Sequence, residues 1–469
     1  MNVSFLQELL NTIAEQGRHL LPRSLGGADR EDGITELASA LLSRRGEASG
    51  VAIAREIVER YRMLPVDERR AFLTFLASTM EPDAGRLAGA ARAYLADPGS
   101  TAVAALQSAM ESPRQEFFRR LNLAPGATAD LVAMRRDVIE ARDPALAPVN
   151  RDLMHLLTAW FNRGFLVLRR IDWQTPAAIL EKIIDYEAVH EIETWDDLRR
   201  RLDPADRRCF AFFHPSLIDE PLIFVEVALT ADIPDSIQSV LEEEAPKAGE
   251  ALARPTTAVF YSISNCQEGL RGISFGNFLI KQVAEDLVKE IPSLKTFVTL
   301  SPMPYFARWL DDTLGKKDPD FVLRAERERL RLLEAPDWAD SADVEALKPT
   351  VLRLAAHYLM LAKAPDGRTL DPVARFHLGN GARLERINWL GDTSPKGMRE
   401  AHGLMVNYRY ELKDIEKNHE AYANEGEMAA SRQVQSLLKA DRSRADHGKF
   451  LALPNLLGAK GRLARQETE

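Results

Sequence analysis

Three places in the chain carry side chains whose types and spacing can do chemistry. The first is the loop Gln267–Gly276. Gly269, Gly272 and Gly276 open backbone conformations closed to other residues and let a ligand approach closely. Arg271 adds a cation, and the helix expected over Phe275–Ile291 aims unpaired N–H groups at whatever the loop holds, a geometry suited to phosphate. Lys281 is a weaker donor, and a ligand-free turn needs the same glycines. The second is Ser301, at the end of an expected strand Thr296–Leu300. Pro302 and Pro304 restrict the backbone beside it. A hydroxyl held there donates to a carboxylate or carbonyl oxygen, but no G-x-S-x-G elbow surrounds it, and a strand-end cap is the plain alternative. The third is His377, in Arg375-Phe-His-Leu-Gly-Asn-Gly381. It is either a buried, satisfied histidine or a general acid whose reference pKa lies near neutrality.

Three further side chains are weighed beside these. Glu226 interrupts the apolar run Phe224–Ala228. Facing inward it needs a partner or a raised pKa, and the commoner solvent-facing alternation is expected. Tyr408 and Tyr410 offer hydroxyls to an inner site or serve as core aromatics. The glycine loop is not a Walker A motif, since no G-K-[ST] follows, and its spacing does not fit a dinucleotide fingerprint. No H-x-x-x-H or carboxylate cluster suggests a metal.

The elements that must position these groups fall into two textures. Up to residue 163 the chain reads as helices, at Val51–Tyr61, from Pro65, and at Gly85–Leu95, Ser100–Met110, Pro113–Leu123, Asp130–Ala141 and Val149–Trp160. From Gly164 strands appear, at Phe165–Leu168, Cys209–Phe213, Leu222–Leu229, Thr257–Ile263 and Thr296–Leu300. Helices are mixed among them at Pro176–Tyr186, capped by Thr175, and at Trp195–Leu202. A loop is expected at Asp371–Gly381. The fold class is α+β, with an all-α bundle domain over 1–163 and a mixed-sheet catalytic domain over 164–469.

Composition excludes several classes. A chain of 469 residues exceeds one compact core. A net charge of −9 argues against a nucleic-acid binder. No apolar run reaches a membrane span, and Met1–Leu21 lacks a secretory signal pattern, so cytoplasm is expected. Two cysteines, Cys209 and Cys266, exclude a disulfide framework and read as buried thiols.

Gln267 and Gly272 match the first and last positions of the pyrophosphate-binding loop of the acetyltransferase (GNAT) fold, with Leu270 in place of its inner glycine. Many blocks in one order then resemble the malonyl-CoA decarboxylase family. They include Asp185-Tyr-Glu-Ala-Val-His190, Glu220-Pro-Leu222, Tyr261-Ser-Ile-Ser264, Gln267 through Gly276, Leu300-Ser-Pro302, Phe376-His-Leu378, Arg386-Ile-Asn-Trp389 and Asn407-Tyr-Arg-Tyr410. The resemblance implies a helical domain followed by a GNAT-like catalytic domain. It implies conversion of malonyl-CoA to acetyl-CoA and CO2 without metal or other cofactor, and a homo-oligomer, dimer or tetramer. It makes Ser301 and His377 the catalytic pair, and the Tyr410 hydroxyl is expected to orient that pair. It assigns Arg271, Gly272, Ile273, Ser274, Phe275, Gly276 and Asn277 to CoA. The sequence departs from animal members at Ser274, where they carry an acid, and at Glu226, where they carry histidine. An acyl-CoA-dependent N-acyltransferase is the alternative, sharing the loop but needing an amine site.

Overall fold

The computed structural model describes residues 33–43, 46–161, 163–241, 254–273, 279–315, 321–335 and 337–445. The chain divides into two compact units. One comprises the chain up to Pro234 together with Ser239–Thr299, and the other Asp235–Gln238 together with the chain from Leu300.

The first unit begins with helices α1 (Ile34–Leu42), α2 (Glu47–Met63), α3 (Val66–Thr79), α4 (Ala84–Ala96), α5 (Ser100–Met110), α6 (Pro113–Leu121), α7 (Ala127–Ala141) and α8 (Ala147–Trp160). Apolar residues three and four apart give most of them one buried stripe, such as Phe72, Leu73, Leu76 and Ala77 on α3. Phe72 and Phe117 meet edge to face in this core. Arg114 on α6 is buried and donates to Asp152 on α8 at 2.7 Å and to the Leu76 carbonyl at 3.0 Å, tying three helices together. The pair α4 and α5 differs. The former buries no side chain and the latter only Ala109.

A sheet follows in the order β1 (Val167–Ile171), β2 (Arg207–His214), β3 (Leu217–Thr230), β4 (Thr257–Asn265) and β5 (Thr296–Thr299). The first three pairings are antiparallel, and β4–β5 is parallel. Between β1 and β2 run α9 (Ala177–Tyr186) and α10 (Trp195–Leu202), and α11 (Leu279–Glu290) connects β4 to β5. Strand alternation puts Cys209, Ala211 and Phe213 of β2 on one face, where Ile179, Leu180, Ile183, Leu198 and Leu202 cover them. Thr194 and Asp197 form the capping box that starts α10. Thr175 does not cap α9. Its hydroxyl accepts from the Asp172 N–H, closing the preceding turn, and Pro176 takes the cap position.

The second unit contains β6 (Ser301–Pro302), α12 (Phe306–Leu314), α13 (Arg324–Leu330), α14 (Val344–Met360), α15 (Pro372–Gly379), β7 (Arg383–Asn388), α16 (Pro395–Ala401), β8 (Met405–Arg409), α17 (Ile415–Glu425) and α18 (Arg432–Ala445). Strand β8 pairs antiparallel with β6 on one side and β7 on the other. Helical first region and mixed sheet thus follow the order expected. Among the described residues no helix is long and apolar enough to cross a membrane.

Candidate active site

Ser301, at the start of β6, lies opposite Val406 of β8. Side chains alternate along a strand, so Val406, Tyr408 and Tyr410, just past the strand end, share the face of Ser301. Helix α15 brings His377 to that face. The expected loop over Asp371–Gly381 is therefore mostly a helix. Its proline and glycines, which read as loop residues, sit at the first position and the end, where a helix tolerates them. Asp371 caps it by accepting from the Ala374 N–H at 2.7 Å, and the Tyr358 hydroxyl donates to the same carboxylate at 3.0 Å. Burial raises the Asp371 carboxyl to about 6, against the bonds from Ala374 and Tyr358. Gly381, at φ +80°, turns the chain out of the helix. A Cβ there would stand 2.1 Å from the Ile415 carbonyl oxygen, so the backbone approach admits only glycine.

The three expected catalytic residues form one hydrogen-bonded chain. Ser301 Oγ lies 3.1 Å from His377 Nε2, and His377 Nδ1 lies 2.8 Å from the Tyr410 hydroxyl. All three are at least 95 % buried. Tyr408 stacks on the imidazole at 4.6 Å between centroids and 24° between planes. Burial alone lowers the His377 pKa to about 3, so at neutral pH the ring is uncharged and carries a single proton. Burial also pushes the Tyr410 phenol well above its ordinary value, so it keeps its proton. Among the described residues Nδ1 is the hydrogen-bond partner of that phenol. A buried O–H left without an acceptor is costly, so Tyr410 donates to Nδ1. The ring proton then sits on Nε2 and is donated to Ser301 Oγ. This directs the serine's own proton away from the ring.

The glycine loop lies in the first unit. Glu268–Leu270 forms a single 3-10 turn, and Gly272 adopts φ +81°. Gln267, Glu268, Leu270, Arg271, Gly272 and Ile273 line most of a cavity of about 270 Å³. Arg271 is exposed and pairs with Glu268 at 3.1 Å, while Ile273 is buried. Ser274, Phe275, Gly276 and Asn277 lie outside the described residues. Lys281 on α11 pairs with Glu285 at 3.8 Å.

Glu226 does not face solvent. It is fully buried opposite Cys209, on the sheet face covered by α9 and α10. There it accepts from Arg201 of α10 at 2.9 Å. Burial raises its carboxyl to about 7, with Arg201 opposing and Glu187 reinforcing the rise. Cys209 and Cys266 are buried free thiols. Sequence reasoning passed over Asp371 and Tyr358, which hold the helix of His377. The first of them was visible only as an acid three residues before an alanine N–H. It also passed over Arg135 of α7, which reaches the glycine loop.

Comparison with known proteins extends these findings. Residues 164–448 match the family model described as malonyl-CoA decarboxylase C-terminal domain, and residues 80–161 match its N-terminal domain. A curated protein of Anser anser anser, named malonyl-CoA decarboxylase, mitochondrial, is 39 % identical over 417 residues, 82 % of each chain. The crystal structure of malonyl-CoA decarboxylase from Rhodopseudomonas palustris is 56 % identical with a TM-score of 0.82, covering 86 % of this chain and 98 % of that one. The one from Agrobacterium vitis is also 56 % identical, with a TM-score of 0.81, covering 86 % and 99 %. With the model matches spanning most of the chain from residue 80 to 448, the chain belongs to the malonyl-CoA decarboxylase family.

Proposed function

We propose that this protein converts malonyl-CoA to acetyl-CoA and CO2, with Ser301, His377 and Tyr410 acting as one hydrogen-bonded relay. Family membership supports the reaction, and the buried Ser301–His377–Tyr410 chain is the observation that carries the assignment of residues. The bond from C2 to the carboxylate carbon breaks, CO2 leaves, and the electron pair remains on C2 as a thioester enolate. C2 then takes one proton, giving acetyl-CoA.

Ser301 hydrogen-bonds the malonyl group and fixes its orientation. His377 supplies the proton as a neutral imidazole, passing the Nε2 proton by way of Ser301 Oγ. An enolate carbon is a far stronger base than the anion this leaves, so the transfer is downhill. The ring regains its proton from solvent as product departs, and one proton is consumed per turnover. A charged imidazolium would pair with the carboxylate of the substrate and stabilise the ground state, which slows the reaction. Burial of His377 avoids this. Tyr410 holds the tautomer.

Arg271 through Asn277 hold CoA in this reading, supported by the cavity beside Gly272 and the exposed guanidinium of Arg271. Arg271→Ala raises KM with kcat little changed. An unchanged KM removes that contact. We further propose a homo-oligomer, supported by Leu95 and Met110 of α4 and α5, which stand 78 % and 59 % exposed. A light-scattering mass of one chain overturns it. Cytoplasmic placement is likewise a proposal, which fractionation with an organelle would overturn. Turnover of malonyl-CoA by the purified protein tests the whole reading. Absence of acetyl-CoA and CO2 refutes it.

A further inference from the structure

Arg135, on α7 in the helical part of the first unit, is only 3 % exposed. Its guanidinium forks across the glycine loop, donating from Nη1 to the Gly269 carbonyl at 2.7 Å and from Nη2 to the Arg271 carbonyl at 2.8 Å. Its Nε donates to Asn150 of α8 at 3.0 Å, which fixes the plane of the fork. These three acceptors are neutral. A buried cation held by carbonyls and an amide is costly to keep in place, a cost that the charge of Glu268 offsets only in part.

The contact is close because of Gly269. A Cβ there would stand 1.9 Å from the Val132 carbonyl oxygen, so the loop backbone lies directly on α7. Peptide planarity carries the consequence to the other side. With the Arg271 carbonyl turned toward Arg135, the N–H of the same peptide, on Gly272, points the opposite way. The cavity beside Gly272 is lined by residues of the loop and of β3 and β4, and by none from α7.

We infer that Arg135 is a positioning residue for CoA. By gripping two loop carbonyls from behind, it turns the loop's N–H toward the phosphate groups of the substrate's nucleotide end. The helical region then serves substrate binding. The inference rests on the reading of the loop as the CoA site.

Arg135→Gln keeps a hydrogen-bonding side chain and loses the charged fork. Steady-state kinetics with malonyl-CoA and with malonyl-pantetheine, which lacks the nucleotide, separate positioning from general damage. Arg135→Gln raises KM for malonyl-CoA about tenfold or more, the size of one lost charge-assisted bond, with kcat within about twofold of wild type. KM for malonyl-pantetheine stays at the wild-type value, and Arg135→Lys falls between. An unchanged KM for malonyl-CoA, or an equal loss with both substrates, overturns the inference. If Arg135→Gln does not fold, the same split is read from Arg135→Lys. Gly272→Val separates the two levels of the reading. If it too leaves KM for malonyl-CoA unchanged, the loop is not the CoA site and both readings fall. If it raises KM while Arg135→Gln does not, only the role of Arg135 falls.

Discussion

Replacing Tyr410 with phenylalanine removes one oxygen from a fully packed ring and nothing else. In the structure that oxygen lies 2.8 Å from His377 Nδ1 and donates to it, which fixes the ring proton on Nε2 beside Ser301. Without it, two outcomes compete. Nδ1 stays an unsatisfied buried acceptor, or the proton moves to Nδ1, Nε2 becomes an acceptor, and the Ser301 O–H turns toward the ring and away from the substrate. Leaving a buried polar group unsatisfied costs about 1–3 kcal/mol. If that cost falls on the reactive arrangement, kcat drops roughly 5- to 150-fold, at about 1.4 kcal/mol per factor of ten. KM changes little, since Tyr410 acts through the imidazole. The assay is acetyl-CoA formation from malonyl-CoA, with nitrogen NMR of the histidine ring as a second readout. Wild type shows the Nε2–H form, and Tyr410→Phe shows increased Nδ1–H. A Tyr410→Phe enzyme with wild-type kcat and an unchanged tautomer refutes the relay.

Two pH responses follow from the buried groups. His377 sits at about 3, so its imidazole is neutral throughout the physiological range, and kcat should show no fall with rising pH around 6.5. A kcat that falls through that region, as an imidazolium acid requires, contradicts the neutral-donor mechanism. Glu226 shapes stability instead. Its carboxyl rises from 4.5 unfolded to about 7 folded, so the folded state binds the proton more tightly. Its contribution is most favourable below pH 4.5 and is lost as pH rises to 7, a change of about 3 kcal/mol. Glu226→Gln should flatten the stability of the protein across that window in denaturant titrations. Parallel curves for the two proteins would show that Glu226 does not titrate there.

Much of the fold was legible. Helical periodicity placed α5 and α10 to the residue and the other helices from α2 to α11 within a few, because one buried stripe forces apolar residues three and four apart, while the helices of the second unit were not individually placed. Strand ends were less legible. β3 runs from Leu217, five residues before the apolar run, because pairing with β2, Pro221 opposite Phe213 and Leu217 opposite His214, extends it. Asp371–Gly381 read as a loop because proline and glycine mark helix ends as well as turns. The outward reading of Glu226 failed because alternation gives the period of a strand but not which face a helix will cover.

The site was legible only in part. Ser301 and His377 are 76 residues apart, and neither has a local motif that distinguishes it from a cap or a core histidine. Only the ordered blocks of family resemblance joined them. Arg135 had no such signal. It is one of two adjacent arginines on a helix with many charges, and its partners in the loop are backbone carbonyls more than 130 residues away, which have no side-chain signature.

The central claim is tested most directly by single-turnover decarboxylation of malonyl-CoA, followed as CO2 release and acetyl-CoA formation in wild type, Ser301→Ala and His377→Asn. Wild type should convert malonyl-CoA stoichiometrically. Each variant should bind CoA as wild type does and lose about 100-fold or more in rate, as expected when a proton donor or its partner is removed. Wild-type rates in either variant, or acetyl transfer to an amine in place of CO2 release, would contradict the account.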